Sequence, residues 1–184
     1  RSMVCLATQP NEHEYYDGYR NWWIGHVARA CERLDAMLVI KLHPADENLT
    51  LYKKAREAHP DTVKIIEHGQ MDLSDLLKAS DLMITRNSTV VIEATLAGTH
   101  SLCVEYTDAA EEYPFTETGA VPRVTDPDRV DETIEKLLYD EDFRNRLWAR
   151  RERLIDLHAG PVDGQATVRI VNHLARAVEK ASEK

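Results

Sequence analysis

The sequence predicts an α/β fold doubly wound around a mostly parallel sheet, with a helical last third, and three observations carry that expectation. Short apolar runs bounded by polar turns alternate with segments of helical character. Two of the runs, Met37-Leu38-Val39-Ile40 and Leu82-Met83-Ile84-Thr85, are apolar enough for strands buried on both faces, and each ends in a polar turn. Beyond Val124 no strand signal recurs and the chain reads as helix after helix.

Taken in order, strands are expected at Val4 to Thr8, Ala36 to Lys41, Thr62 to Ile66, Asp81 to Thr85, Ser101 to Glu105 and Ala120 to Val124. The intervening helices are expected at Tyr16 to Leu34, Leu49 to Ala58, Leu73 to Ala79 and Thr89 to Ala97, the last stopped by Gly98. Three more follow, at Pro127 to Leu138, Glu141 to Leu157 and Gln165 to Ala181. This alternation is Rossmann-like. With 184 residues, 43% of them hydrophobic, the chain has material for one substantial core, so residues 1–184 are expected to form a single domain. No run approaches the ~20 apolar residues of a membrane span, and no signal-peptide pattern opens the chain. The expectation is a cytoplasmic domain, with peripheral association at the inner membrane face only through sequence outside these residues.

Charge narrows the function classes. A formal net charge of -9, from 32 acidic and 23 basic side chains, opposes a nucleic-acid partner, which needs a basic surface to displace counterions. Anion binding is therefore expected to be local. Cys5, Cys31 and Cys103 lack metal-ligand spacing and read as reduced core residues. No metal site is expected, because no pattern of oxygen ligands occurs. The sequence also lacks a Gly-x-Ser-x-Gly elbow, a Walker loop and a Gly-x-Gly-x-x-Gly fingerprint.

The turns after strands are where chemistry is sought, because open parallel sheets bind ligands beyond their strands' carboxyl ends. Ser88 falls at a helix start, where unpaired N–H groups and the positive end of the helix dipole favour a phosphate. The hydroxyls of Ser88 and Thr89 add donors, Arg86 adds charge beside Asn87, and Glu93 one turn on is suited to ribose hydroxyls. The competing reading makes Ser88 an N-cap and Glu93 a solvated carboxylate. His43-Pro44 follows the second strand and lies on the same edge if the sheet is parallel, although a lone histidine there also serves as a structural hydrogen-bonding group. His68-Gly69 follows the third strand and, on the residues alone, reads as a turn glycine beside an exposed histidine. The Gln9 to Trp23 loop offers Tyr15, Tyr16 and Trp22 as a docking surface, or else anchors a helix in the core. Tyr106 to Gly119 holds four carboxylates, suited to acid and base work or simply to solvent.

Ala7-Thr8-Gln9-Pro10, Lys41-x-His43-Pro44 and Asp75-Leu76-Leu77-x3-Asp81-Leu82-x-Ile84-Thr85-x2-Ser88-Thr89-x3-Glu93-Ala94, in this order, resemble the C-terminal half of a GT-B glycosyltransferase-like protein. The similar families make capsule and surface polysaccharides: glycerophosphotransferases of the teichoic-acid type, capsular Kdo and sialic acid transferases and, more distantly, UDP-GlcNAc 2-epimerases. Asp163-Gly164-Gln165-Ala166 is similar to the Asp-Gly-Lys-Ala that opens the last helix in such proteins. The resemblance implies donor-phosphate contacts at His43, Ser88 and Thr89, with Arg86 and Asn87 beside them, and ribose or base contacts at Glu93, His68 and Gly69. It implies no cofactor, a CMP-, CDP- or UDP-linked donor as substrate, and an N-terminal domain of the same protein as partner. Arg1-Ser2-Met3, directly before a strand, fits a chain cut at a domain boundary. No catalytic residue is assigned; His43 is the candidate, and a base for the acceptor is expected from the other domain. Thr85-Arg86-Asn87-Ser88-Thr89 departs from the Thr-Asp-Tyr-Ser-Ser of the glycerophosphotransferases and the Ser-Gly-Gly of the epimerases, which leaves the donor open. An epimerase domain and a non-catalytic assembly domain are the alternatives.

Overall fold

A computed structural model describes residues 1–10, 23–46, 49–105 and 115–182. Its centre is a sheet of six strands, every pairing parallel, in the order β3-β2-β1-β4-β5-β6. The strands are β1 (Met3–Ala7), β2 (Met37–Lys41), β3 (Val63–Ile66), β4 (Leu82–Thr85), β5 (His100–Val104) and β6 (Arg123–Val124). All six lie where the apolar runs predict them. The last is shorter than expected: Ala120 and Val121 are buried in the core but belong to a turn, and pairing with β5 is confined to Arg123 and Val124.

Pleat alternation divides the core in two. Val4, Leu6, Leu38, Ile40, Leu82 and Ile84 face one side, while Cys5, Ala7, Val39 and Met83 face the other. The first side is covered by α1 (Trp23–Arg33), α2 (Thr50–Ala58) and α5 (Val130–Tyr139), which contribute Ile24, Val27, Tyr52, Ile134 and Leu137. The second is covered by α3 (Leu73–Ala79) and α4 (Val90–Ala97), with Leu76, Leu77, Val91 and Ala94 against the sheet. Burial on both faces explains why these strands carry so few polar residues.

The predicted helix from Glu141 to Leu157 divides into α6 (Glu141–Trp148) and α7 (Arg151–His158). Leu147 packs in the first core and Leu154 in the second, so the chain must turn around the sheet between them. Ala149 and Arg150 make that turn, with Arg150 N–H donating to Leu147 O at 3.0 Å. The helix expected from Pro127 opens as a 3-10 turn, Pro127–Arg129, capped by the Asp126 carboxylate, before α5 begins. The last helix, α8 (Ala166–Ser182), has Val168, Ile170, Val171 and Leu174 each more than half exposed. No described helix is long and apolar enough to cross a membrane.

The proposed start of the first helix, the Tyr15, Tyr16 and Trp22 group, and the carboxylates from Asp108 to Glu112 lie outside the described residues. Trp23, at the head of α1, is fully buried in the first core, so that half of the aromatic pair is a core anchor.

Candidate functional site

Strand order creates the site. From β1 the chain steps outward to β2 and β3, then crosses back to β4 on the other flank, so the connections leave the carboxyl ends of β1 and β4 in opposite directions. Such a switch point opens a crevice in doubly wound folds. Here it forms a cavity of about 590 Å³, within the size range of small-ligand pockets.

Four strand ends converge on the cavity. Thr8 follows β1, Leu42, His43 and Pro44 follow β2, His68 and Gly69 follow β3, and Ser88 and Thr89 follow β4, with Val90 and Glu93 from α4. The walls are apolar where Leu42, Pro44, Met71, Leu73 and Val90 contribute. The structure thus brings together His43, His68, Gly69, Ser88, Thr89 and Glu93, six of the eight residues selected from sequence.

His43 is held from two directions. Its N–H donates to Thr8 Oγ1 at 2.8 Å, and its ring Nδ1 accepts from Ala45 N–H at 3.1 Å. An Nδ1 that accepts carries no proton, so the neutral ring has its hydrogen on Nε2 and donates from there. The same turn closes with Asp46 N–H donating to the His43 carbonyl at 3.1 Å. The Asp46 carboxylate, buried, accepts from the hydroxyl of buried Tyr52, which ties the turn to α2.

The helix start is also suited to an anion. Val91 and Ile92 donate back to the Ser88 and Thr89 carbonyls at 3.1 and 2.9 Å, while Val90 N–H makes only a 3.4 Å contact with Ser88 Oγ. The Thr89 hydroxyl, in an exposed residue, makes no capping bond. Polar groups of this kind are available to a ligand at the positive end of α4. Glu93 is exposed on the following turn and makes no ion pair among the described residues. Gly69 has φ +81 and nothing within 4 Å of the position a Cβ would take, so it serves the turn rather than a close approach of backbone. That turn is pinned by Gln70, whose Oε1 accepts from Glu67 N–H at 2.9 Å.

Arg86 and Asn87 sit differently. Neither lines the cavity. Arg86 Nε lies 3.2 Å from Oε2 of Glu105, whose side chain is only 5% exposed. A guanidinium so placed neutralises a buried carboxylate, so its charge is already committed at the end of β5. Asn87 is held through its backbone: its N–H donates to Gln9 Oε1 at 3.1 Å, and Gln9 Nε2 donates to its carbonyl.

Thr8 and Gln9 are the residues that sequence reasoning missed as part of the site. Thr8 fixes the His43 backbone, and Gln9 fixes the turn ahead of α4. Their sequence signals were a position just past a strand and membership of the Ala7-Thr8-Gln9-Pro10 segment, neither of which assigned them a contact. The thiols of Cys5, Cys31 and Cys103 are pushed up to about 12, chiefly by burial, and at Cys5 the nearby charge of Lys41 offsets part of that rise. They are core groups without nucleophilic character.

No protein-family model matches the sequence, and no sequence among curated proteins does either. Solved structures do. The wall teichoic acid polymerase TagF, as a variant, aligns with 100% of this chain at a TM-score of 0.66 and 14% identity. The chain has a GT-B-type fold. MnaA of S. aureus, in a co-structure with UDP, aligns with 97% of the chain at a TM-score of 0.68 and 20% identity. WaaG, a glycosyltransferase involved in lipopolysaccharide biosynthesis, aligns with 86% at a TM-score of 0.58 and 16% identity. The chain spans less than half of each of them: 45% of the TagF chain, 47% of MnaA and 44% of WaaG.

Proposed function

We propose that this chain is the donor-binding domain of a GT-B transferase that moves a sugar or polyol phosphate from a nucleotide-activated donor during cell-surface glycan synthesis, in the cytoplasm. The observation that carries the reading is the convergence of a fixed Nε2–H donor on His43 with the hydroxyls of Ser88 and Thr89 at the start of α4. Donors aimed at a departing nucleotide phosphate stabilise the charge that develops as its bond breaks. Glu93 accepts from the ribose hydroxyls, and His68 and Gly69 border the base. The donor is CMP-, CDP- or UDP-linked.

The acceptor and its base belong to a second domain. Two observations favour one: the solved proteins with this fold are more than twice as long, and α8 carries an apolar stripe exposed to solvent. This domain alone then binds donor without turning it over.

The test is calorimetric titration with CMP, CDP, UDP and GDP. Binding of at least one, lost in a His43→Ala, Ser88→Ala double variant, supports the reading. Absence of binding to all four leaves an assembly role for the domain. A second reading, a nucleotide-sugar 2-epimerase domain, is favoured by the likeness to MnaA and to a UDP-N-acetylglucosamine 2-epimerase of Listeria monocytogenes at a TM-score of 0.59. Conversion of UDP-GlcNAc to UDP-ManNAc by the two-domain protein would select it.

A further inference from the structure

We infer that Gln9 is a positioning residue: its side-chain amide continues the junction of β1 and β4 past their last backbone pair and so sets where the Ser88–Thr89 turn lies. Its hold on the turn needs no ligand, and only its effect on affinity rests on the donor-binding reading. Backbone pairing between the two strands ends at Leu6 opposite Ile84. Side chains take over from there. Thr85 Oγ1 donates to the Ala7 carbonyl at 3.0 Å, and two residues further along each chain segment Gln9 meets Asn87.

Gln9 Oε1 accepts from Asn87 N–H at 3.1 Å, and Gln9 Nε2 donates to the Asn87 carbonyl. One primary amide thus serves both backbone groups of one residue, as a neighbouring strand would. Ser88 and Thr89 follow directly and line the cavity. Their carbonyls receive the N–H groups of Val91 and Ile92, so a shift of Asn87 carries the start of α4 with it.

The amide has one satisfactory orientation. Turned over, Nε2 would face the Asn87 N–H and Oε1 the Asn87 carbonyl, donor against donor and acceptor against acceptor. Arg86 strengthens the choice, because its Nε lies 3.3 Å from Gln9 Oε1 and 3.2 Å from Oε2 of the buried Glu105. The Glu105 carboxylate holds the guanidinium, and the guanidinium selects the oxygen. Glutamate would serve only half as well: it keeps an acceptor for both donors but sets a second oxygen against the Asn87 carbonyl.

Consecutive residues of one strand end serve opposite walls of the cavity. Thr8 Oγ1 accepts from His43 N–H, whereas Gln9 holds Asn87. Since β1 lies between β2 and β4, an effect of Gln9 on binding passes through the Ser88–Thr89 turn and leaves His43 alone.

The experiment compares the wild-type chain with Gln9→Ala and Gln9→Glu, and thermal melts report the fold of each. In amide hydrogen exchange without ligand, Asn87 should exchange about fivefold or more faster in Gln9→Ala, while His43 and Ile84 stay unchanged. In Gln9→Glu the Asn87 N–H keeps its acceptor and its exchange rises less, but the Ser88 amide resonance moves as the Asn87 carbonyl loses its donor. That second variant carries the test if Gln9→Ala does not fold. In calorimetric titration with CDP and UDP, Gln9→Ala should weaken binding about fivefold in the wild-type and His43→Ala backgrounds alike, and about twofold or less where Ser88 and Thr89 are both alanine. Exchange at Asn87 that does not change, or that rises equally along β1 and β4, overturns the inference. So does a loss of affinity that persists undiminished without the Ser88 and Thr89 hydroxyls, because a general structural role moves every background alike. A wild-type chain that binds neither nucleotide overturns the donor-binding reading, and exchange at Asn87 still decides the role of Gln9.

Discussion

Helix α4 joins two cavities of similar size and opposite character. Its first turn lines the pocket of about 590 Å³ at the carboxyl ends of the strands, and Gly98 at its other end lines a cavity of about 500 Å³ at their amino ends. In a parallel sheet, each following helix starts on the carboxyl edge and finishes on the amino edge. The carboxyl edge therefore collects helix N–H donors and the amino edge collects carbonyls. One helix does begin at the second cavity, α6, but the Asp140 side chain accepts from Phe143 N–H and Glu141 and Asp142 occupy its first turn. Beside it the His100 ring meets Trp148 edge-on at 5.1 Å, and Tyr139 donates to Leu34 O at 3.2 Å. Volume does not distinguish the two cavities. Helix polarity does.

The contrast breaks most sharply on nucleotide affinity. Each hydrogen bond to a charged group contributes ~1.5–3 kcal/mol, so the His43→Ala, Ser88→Ala double variant should lose about a hundredfold or more in calorimetric affinity. Arg144→Gln, in the second cavity, should leave affinity within about twofold. A smaller effect, on stability alone, is expected at the other end of α4. Gly98 has φ +89 with open space where a Cβ would lie, so Gly98→Ala adds only backbone strain, ~1–2 kcal/mol by urea denaturation, with unchanged nucleotide affinity. Thr8→Val removes the acceptor for His43 N–H. A loss of ~1 kcal/mol there predicts about fivefold weaker binding, without a matching change when the His43 side chain is already absent.

The smallest expected effect is a pH dependence confined to the second cavity. Burial first, and the Arg144 charge second, lower the His100 pKa from its ordinary value. The unfolded chain then binds a proton more readily than the folded one, so this contribution is present above the unfolded value of ~6.5 and is lost as pH falls through the folded one. Urea unfolding at pH 8 and at pH 5.5 should show a steeper loss of stability at the lower pH for the wild-type chain than for His100→Gln.

Much of this contrast was legible in the sequence because it follows from strand ends. Buried strands announce themselves as short apolar runs, and a polar turn followed by Val90-Val91-Ile92 locates a helix start without knowledge of strand order. Sequence did not reveal which charges were already spent. Arg86 and Glu105 are distant along the chain and meet because β4 and β5 are neighbours in register, Thr85 opposite Cys103. The break between α6 and α7 was hidden for a related reason. Leu147 and Leu154 are two helical turns apart, a spacing that one continuous helix would place on one face, yet they belong to opposite cores. Thr8 and Gln9 became part of the site only once β1 was seen to lie between β2 and β4.

An amide-resolved NMR titration of the chain with CDP and UDP tests the central claim most directly. The account predicts shifts centred on residues 41–46 and 87–93, with those around His100, Arg144 and Trp148 unmoved. Shifts confined to the amino edge, or none at saturating nucleotide, would contradict it.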